Sequence, residues 1–223
     1  VKTIAGLYWK PYKVIRRFAI ANICRIFSLS IERLVRVDLP KMIVVEECSS
    51  QRLRIATLAS EHRIADSDFA LLDAGTVMCF AAFDSAQLAG FIWVATGHVS
   101  SEINHDGKPE TGLPIWLDDD TVFVFQALVF PNYRGCRLYA AIITAAADQL
   151  QERGVRKIVL TTEASNILAL SAVKRMGFQQ VGQSWLLRIG PFCKASYPKI
   201  PANCGMQIGR YVGDRNCERS HVS

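Results

Sequence analysis

The chain has 223 residues, half of them hydrophobic and 21% charged, with 26 Lys and Arg against 20 Asp and Glu. That length suits one domain with extensions and the apolar content is ample for a core, which excludes a disordered or low-complexity chain. No run of eighteen apolar residues is continuous, so a transmembrane helix is not expected. Seven cysteines without a CxxC pair argue against zinc, with no metal ligand set, and for a reducing, cytoplasmic compartment.

Residues 1–41 carry nine basic residues against Glu32 and Asp38, a local charge of +7 that leaves −1 for residues 42–223. On a helical wheel Ile15, Phe18, Ile26 and Leu29 gather on one side with Asn22, while Lys13, Arg16 and Arg17 lie opposite beside Ile20 and Phe27. The segment is therefore expected to be a basic amphipathic N-terminal helical extension. Two readings of it stand: a helix packed on the domain with its charges solvated, or, aided by Tyr8 and Trp9, peripheral contact with an anionic inner membrane surface. Large aliphatic residues interleave the charges and no reader motif accompanies them, so nucleic acid is not an expected partner. Arg25 interrupts the apolar core that a signal peptide needs. The first residue is Val1 rather than Met, as in a fragment or a chain with an unusual start codon.

From Met42 the pattern turns globular, and residues 42–190 are expected to form the main domain. Met42 to Val45 reads as a strand, Ser50 to Ser60 as a helix, and Val77 to Phe83 with Ala89 to Ala95 as a hairpin about Asp84-Ser85. Ser100 to Asp120 is a long polar stretch holding Glu102, His105 and the run Asp118-Asp119-Asp120. Loops of that length between core strands are more often functional than not.

Val122 to Val129 is a nearly unbroken β-branched and aromatic run, read as a buried strand that Pro131 ends. Leu138, Ile142, Ala145, Ala146 and Leu150 then recur at helical spacing up to Gly154. Strand, tight basic loop and helix follow one another, so unpaired N–H groups at the helix start, with Arg134 and Arg137, would seat an anion such as a pyrophosphate. Lys157 to Thr162 is a second apolar strand, followed by a helix opening at Ser165 or Asn166 and stopping at Gly177. That order implies a right-handed crossover between parallel neighbours.

The phrase Val129-x-Pro131-x-Tyr133-Arg134-Gly135, followed by a helix, and then Asn166-x-x-Ala169 leading to Lys174-Arg175-Met176-Gly177-Phe178, resembles the two signature motifs of the GNAT acyltransferase superfamily. The resemblance implies an α/β fold with a mixed sheet and acetyl-CoA as acyl donor. It further implies that Arg134, Gly135, Cys136, Arg137, Leu138 and Tyr139 face the pyrophosphate. Ala127, Leu128 and Val129 would pair with the pantetheine arm, while Asn166 caps its helix and reaches the cofactor. Three positions depart from the family pattern: Arg137 and Tyr139 occupy sites usually filled by small residues, and Val173 stands where many members carry a tyrosine that protonates the departing thiolate.

An acceptor ammonium must lose a proton before it attacks a thioester, so a base is required. Asp120 lies near the strand position where some relatives carry a catalytic Glu, with His105 and Glu102 as further candidates; the three aspartates could equally solvate a turn. Gln126, polar within an apolar strand, either orients the acceptor or satisfies a backbone group. Tyr139 could protonate the thiolate or simply pack. Cys136 is a reactive thiol or a filler. After Phe178, Trp185 to Ile189 reads as the last strand, and residues 191–223, rich in Gly, Pro and Asn, as an irregular tail. Two functional classes follow from the resemblance: a transferase moving an acetyl or other short acyl group to a primary amine of a small molecule or sugar, or a non-catalytic module that binds coenzyme A.

Overall fold

The computed structural model describes residues 20–58, 64–101, 103, 114–189 and 192–209. Its main body is an eight-stranded mixed sheet. In chain order the strands are β1 (Ile20–Ser30), β2 (Ile43–Glu47), β3 (Val77–Asp84), β4 (Gln87–Ala95), β5 (His98–Val99), β6 (Ile115–Leu117), β7 (Thr121–Val129), β8 (Lys157–Glu163), β9 (Gln179–Ile189), β10 (Phe192–Ser196) and β11 (Met206–Ile208). The helices are α1 (Ser50–Leu58), α2 (Asp66–Asp73), α3 (Leu138–Glu152) and α4 (Ile167–Arg175). The large sheet runs β10-β9-β1-β8-β7-β4-β3-β2, and β11-β6-β5 form a small second sheet.

Neighbouring strands of the large sheet pair antiparallel wherever their registers are defined, except β7 with β8, the parallel pair built by the α3 crossover. Two cores cover the two faces. Leu138, Ile142, Ala146 and Leu150 of α3 and Leu170 and Val173 of α4 join Ile92, Val124 and Leu160 on one face. Leu53 and Ala56 of α1 and Phe69 of α2 join Trp93, Phe125 and Val159 on the other. Each fully buried Leu, Ile or Phe is worth roughly 1.5–3 kcal/mol, so both layers are needed to hold the sheet.

Two expectations are corrected here. Residues 20–30, assigned to the basic helix, form β1, and a short 3-10 turn at Ile31–Arg33 follows. β1 lies between β8 and β9, so it is buried on both faces: Ile26 packs in one core and Phe27 in the other. A strand covered on both sides has no period-two alternation, which is why its Ile, Phe and Leu spacing could be fitted to a helical wheel. The earlier part of that extension, residues 1–19, lies outside the described residues.

The irregular tail is corrected over residues 192–209. β10 extends the large sheet, and β11 pairs with β6 and carries Met206 into the core, beside Cys204 from the preceding turn. Its Gly and Pro residues serve close packing: a Cβ at Gly205 would sit 2.1 Å from the Thr121 hydroxyl, so the turn needs glycine there. Among the described residues, no helix is long and apolar enough to cross a membrane. None of them forms a group of three or more side chains able to hold a metal ion.

Candidate functional site

The parallel pair is joined only over its first half. Thr121, Val122, Phe123 and Val124 match Lys157, Ile158, Val159 and Leu160, and there the ladder stops, although β7 runs on to Val129 and β8 to Glu163. A bulge on β7 accompanies the divergence. Between the pairs Phe91↔Leu128 and Trp93↔Phe125 the register with β4 shifts, and Gln126 takes a positive φ of 44°, a conformation that costs a non-glycine residue free energy.

Gly90 lets the bend form. Its missing Cβ would lie 2.7 Å from the Leu128 carbonyl oxygen and 3.3 Å from the Ile142 side chain, so only glycine allows the displaced strand and α3 to approach β4 this closely.

The splay opens a cleft of about 520 Å³. Val124 to Val129 form one wall and Leu160 to Glu163 the other, with Arg134 and Tyr139 beneath and Asn166, Leu168, Ala169, Ala172 and Val173 of the α4 region closing the side. The edge of β7 toward β8 beyond Val124 thus carries peptide groups that no strand of the ladder covers, suited to an amide-bearing ligand laid between the strands.

Below the cleft the chain turns through a 3-10 turn at Pro131–Tyr133 into α3. Tyr133 donates its hydroxyl to Asp84 at 3.2 Å, which ties the turn to the β3–β4 hairpin. Arg134 is exposed, and its Nε donates to the Val129 carbonyl at 3.1 Å, holding the guanidinium at the cleft. Cys136 is exposed and its Sγ donates to the Tyr133 carbonyl at 3.0 Å. Arg137, the N-cap of α3, has φ 61° and makes no side-chain cap. The first N–H groups of the helix therefore donate no hydrogen bond to a capping side chain, and two cations lie beside them, the arrangement that attracts a phosphate.

The sequence candidates divide accordingly. Ala127, Leu128, Val129, Arg134, Tyr139 and Asn166 come together at the cleft, while Gly135, Cys136 and Arg137 form the turn beneath and Leu138 is buried in the core. Asn166 caps α4 by accepting from Ala169 N at 3.1 Å. Tyr139 is partly buried, and burial pushes its hydroxyl well above the usual phenol range, so it stays protonated at neutral pH.

Asp120 stands at the other end of the parallel pair. Its carboxylate accepts from the Thr121 hydroxyl at 2.9 Å and lies 3.7 Å from Lys157 Nζ, and its carbonyl accepts from Arg156 N and Lys157 N. It is not among the residues lining the cleft. His105 and Glu102 lie outside the described residues. Val173 packs in the core and contributes to the cleft wall, without a hydroxyl to offer.

Sequence reasoning missed Thr161, Thr162 and Glu163 as cleft residues. The signal was present: β8 runs Lys-Ile-Val-Leu and then Thr-Thr-Glu, turning polar where it leaves β7.

A family model described as the acetyltransferase (GNAT) family matches residues 45–178, from within β2 to the start of β9. The chain belongs to the GNAT acetyltransferase family. No curated protein matches the chain in sequence. Among solved structures, a GCN5-related N-acetyltransferase from Kribbella flavida superposes with a TM-score of 0.51 at 12% identity, covering 82% of this chain and 65% of that one. A Drosophila protein superposes at 0.52 and 12% identity, covering 84% of this chain and 58% of that one. The glucosamine N-acetyltransferase region of a fungal multi-domain β-N-acetylglucosaminidase gives 0.54 at 13% identity, with 84% of this chain and 23% of that protein covered. The first two of these proteins are thus longer than the stretch this chain spans, which is under two thirds of each. At these identities the likeness is one of fold. Within the GNAT chain, β1, β9, β10 and β11 fall outside the matched residues, yet β1 completes the sheet beside β8.

Proposed function

We propose that this GNAT chain transfers an acetyl or other short acyl group from acetyl-CoA to a primary amine of a small molecule or sugar, by direct attack within a ternary complex. The observation that carries the reading is the splay of β7 from β8 directly above an α3 N-terminus flanked by Arg134 and Arg137. One opening thereby offers strand peptide groups for an amide-rich arm and, at its foot, N–H groups and cations for a diphosphate.

The reaction would run as follows. The neutral amine attacks the thioester carbonyl, the oxyanion is held by peptide N–H groups of β7, and collapse breaks the C–S bond. The departing thiolate needs a proton. We take Tyr139, whose side chain lines the cleft, as its source, the task that Val173 cannot perform.

Calorimetry with acetyl-CoA tests the donor. Arg134→Glu should weaken binding about 100-fold, the equivalent of losing one or two charge-assisted contacts and adding repulsion. The melting temperature should not move, because this exposed side chain is held by a hydrogen bond to one carbonyl. Unchanged acetyl-CoA affinity in this variant would remove the phosphate seat from the turn. Acetyl-CoA binding without thiol release from any amine would favour the binding-module reading instead.

A further inference from the structure

Where β7 and β8 are laddered together, the sheet carries a polar patch that acyl transfer does not use. On β1, Ile26 packs in the core under α1 and α2 and Phe27 in the core under α3 and α4. Side chains alternate along a strand, so Ser28 and Ser30 share the α1–α2 face with Ile26. On β8, Val159 packs in that same core, which puts Lys157 on the same face. Ser30 is paired with Lys157, and Ser28 with Gln179 of β9. Three adjacent strands thus bring two hydroxyls, an amide and an ammonium together.

A cavity of about 120 Å³ stands over this patch. Arg33 and Gly177 border it on one side, Asn203 and Cys204 on the other. Backbone bonds fix both borders. Ile31 N donates to the Arg156 carbonyl at 2.9 Å and Val35 N to the Met176 carbonyl at 3.0 Å, so the turn that carries Arg33 is pinned before and after it. Opposite, the Ser28 hydroxyl donates to the Cys204 carbonyl at 3.5 Å, and Asp118 N donates to the Gly205 carbonyl at 2.9 Å. The cavity is held open by the fold itself.

Its donors are largely unspent. Among the described residues, the side chains of Ser30, Arg33 and Gln179 have no hydrogen-bond or ion-pair partner. Lys157 lies 3.7 Å from Asp120, beyond hydrogen-bond length, so its N–H donors remain available. None of the described residues lining the cavity is acidic. Burial pushes the Cys204 thiol up, so it stays neutral and adds no negative charge. Two cations and a set of neutral donors therefore surround a space equal to the share of about four waters, at roughly 30 Å³ each. That is room for one small oxyanion and too little for a nucleotide.

We propose that this cavity holds a phosphate group, free or carried by a small metabolite, with Arg33 and Lys157 as its cations. The hydroxyls of Ser28 and Ser30 and the amide of Gln179 complete the donor set. The site is separate from the diphosphate seat of the cleft. No described residue lines both openings, and they lie toward opposite ends of β8, a strand about 20 Å long.

The test is a nitrogen-15 NMR titration of the full chain with sodium phosphate, the ionic strength held constant with sodium chloride. The Ser30 and Gly177 amides and the Asn203 side-chain amide should shift along saturating curves with a midpoint on the order of 1 mM. Arg33→Gln removes an exposed cation that bonds no other residue, so the variant should fold as wild type and bind phosphate about tenfold more weakly. Its acetyl-CoA affinity should stay within about twofold of wild type. Arg134→Glu should leave the phosphate shifts at these three positions unchanged.

Glycerol 3-phosphate, with glycerol as its control, separates the two sources. Tighter binding than inorganic phosphate supports a metabolite-borne group, and equal or weaker binding supports the free ion. Acetate that titrates the same amides at the same midpoint would overturn the phosphate class in favour of a carboxylate. The site itself is overturned by the absence of shifts up to about 20 mM phosphate, by shifts that chloride alone reproduces, or by curves that ignore Arg33→Gln. Loss of the shifts in Arg134→Glu would return the phosphate to the cleft and overturn it equally.

Discussion

The two ends of the β7–β8 pair use the same backbone for opposite purposes. At the closed end, Thr121 to Val124 are laddered to Lys157 to Leu160, every one of these β7 side chains is buried, and Asp120 fastens the start with its carbonyl on two backbone N–H groups and its carboxylate toward Lys157. At the open end the strands part, β7 bulges at Gln126, β8 turns polar, and the side chains become partly exposed. The difference teaches that the site is made by withholding a ladder that the sequence could otherwise have continued. The fold tolerates the parting of β7 from β8 because the closed end and the two flanking cores hold the strands in place.

If that division holds, the most damaging single change should be one that forbids the bend. Gly90→Val places a branched side chain against the Leu128 carbonyl and Ile142, neither of which has room. Overpacking of this kind costs about 1–3 kcal/mol, or a fall of roughly 2–12 °C in melting temperature for a chain of this size. Acetyl-CoA affinity should fall with it, since the wall of the cleft is the displaced strand. A Gly90→Val chain that melts and binds as wild type would mean that β7 can bulge without the gap at β4.

Tyr139→Phe sharpens the comparison from inside the open end. Thiol release should slow by about 10–100-fold while acetyl-CoA binding is kept, the mark of a proton donor rather than a packing residue. The sign of the pH effect follows from the raised hydroxyl. The folded state favours the neutral phenol, so its contribution to stability is complete below the unfolded value of about 10 and is lost as pH rises above it. Wild type should therefore lose stability in alkali more steeply than Tyr139→Phe, and parallel alkaline melts would remove Tyr139 from this role.

How much of this could be read beforehand depended on whether one strand's periodicity stood alone. β7, α3, β8 and α4 were legible because apolar runs, Pro131, Gly154 and Gly177 punctuate them. β1 was not, since burial on both faces erased its alternation and its basic neighbours suggested a helix. β10 and β11 were hidden by a composition that usually marks loops. Within the site, Arg134, Tyr139, Asn166 and Ala127 to Val129 were found through a local motif. The part Gly90 plays could not be found that way: only the pairing of β4 with the bulged β7 brings it against Leu128.

Asp120→Ala tests the closed end with a smaller effect. Its ion pair with Lys157 is partly exposed and long, so about 1 kcal/mol of stability should be lost, measured by chemical denaturation, with kcat within twofold of wild type. A large loss of kcat with unchanged stability would restore Asp120 as the base and contradict the functional separation of the two ends.

The smallest effect is expected at Arg137, and its sign is the informative part. A left-handed conformation costs a residue with a Cβ about 1–2 kcal/mol, and glycine would avoid that at an entropic cost of roughly 0.5–1 kcal/mol. Arg137→Gly should thus stabilise the chain by about 0.5–1 kcal/mol in a denaturant titration, since its φ is 61° and its side chain caps nothing. Acetyl-CoA should bind a few-fold more weakly, because a cation beside the α3 N-terminus is lost, and that loss should shrink as salt is raised. Opposite signs for stability and binding would show strain kept at the turn for the sake of charge. A stabilised variant that binds as well as wild type would leave Arg134 and the helix N-terminus as the whole of the phosphate seat.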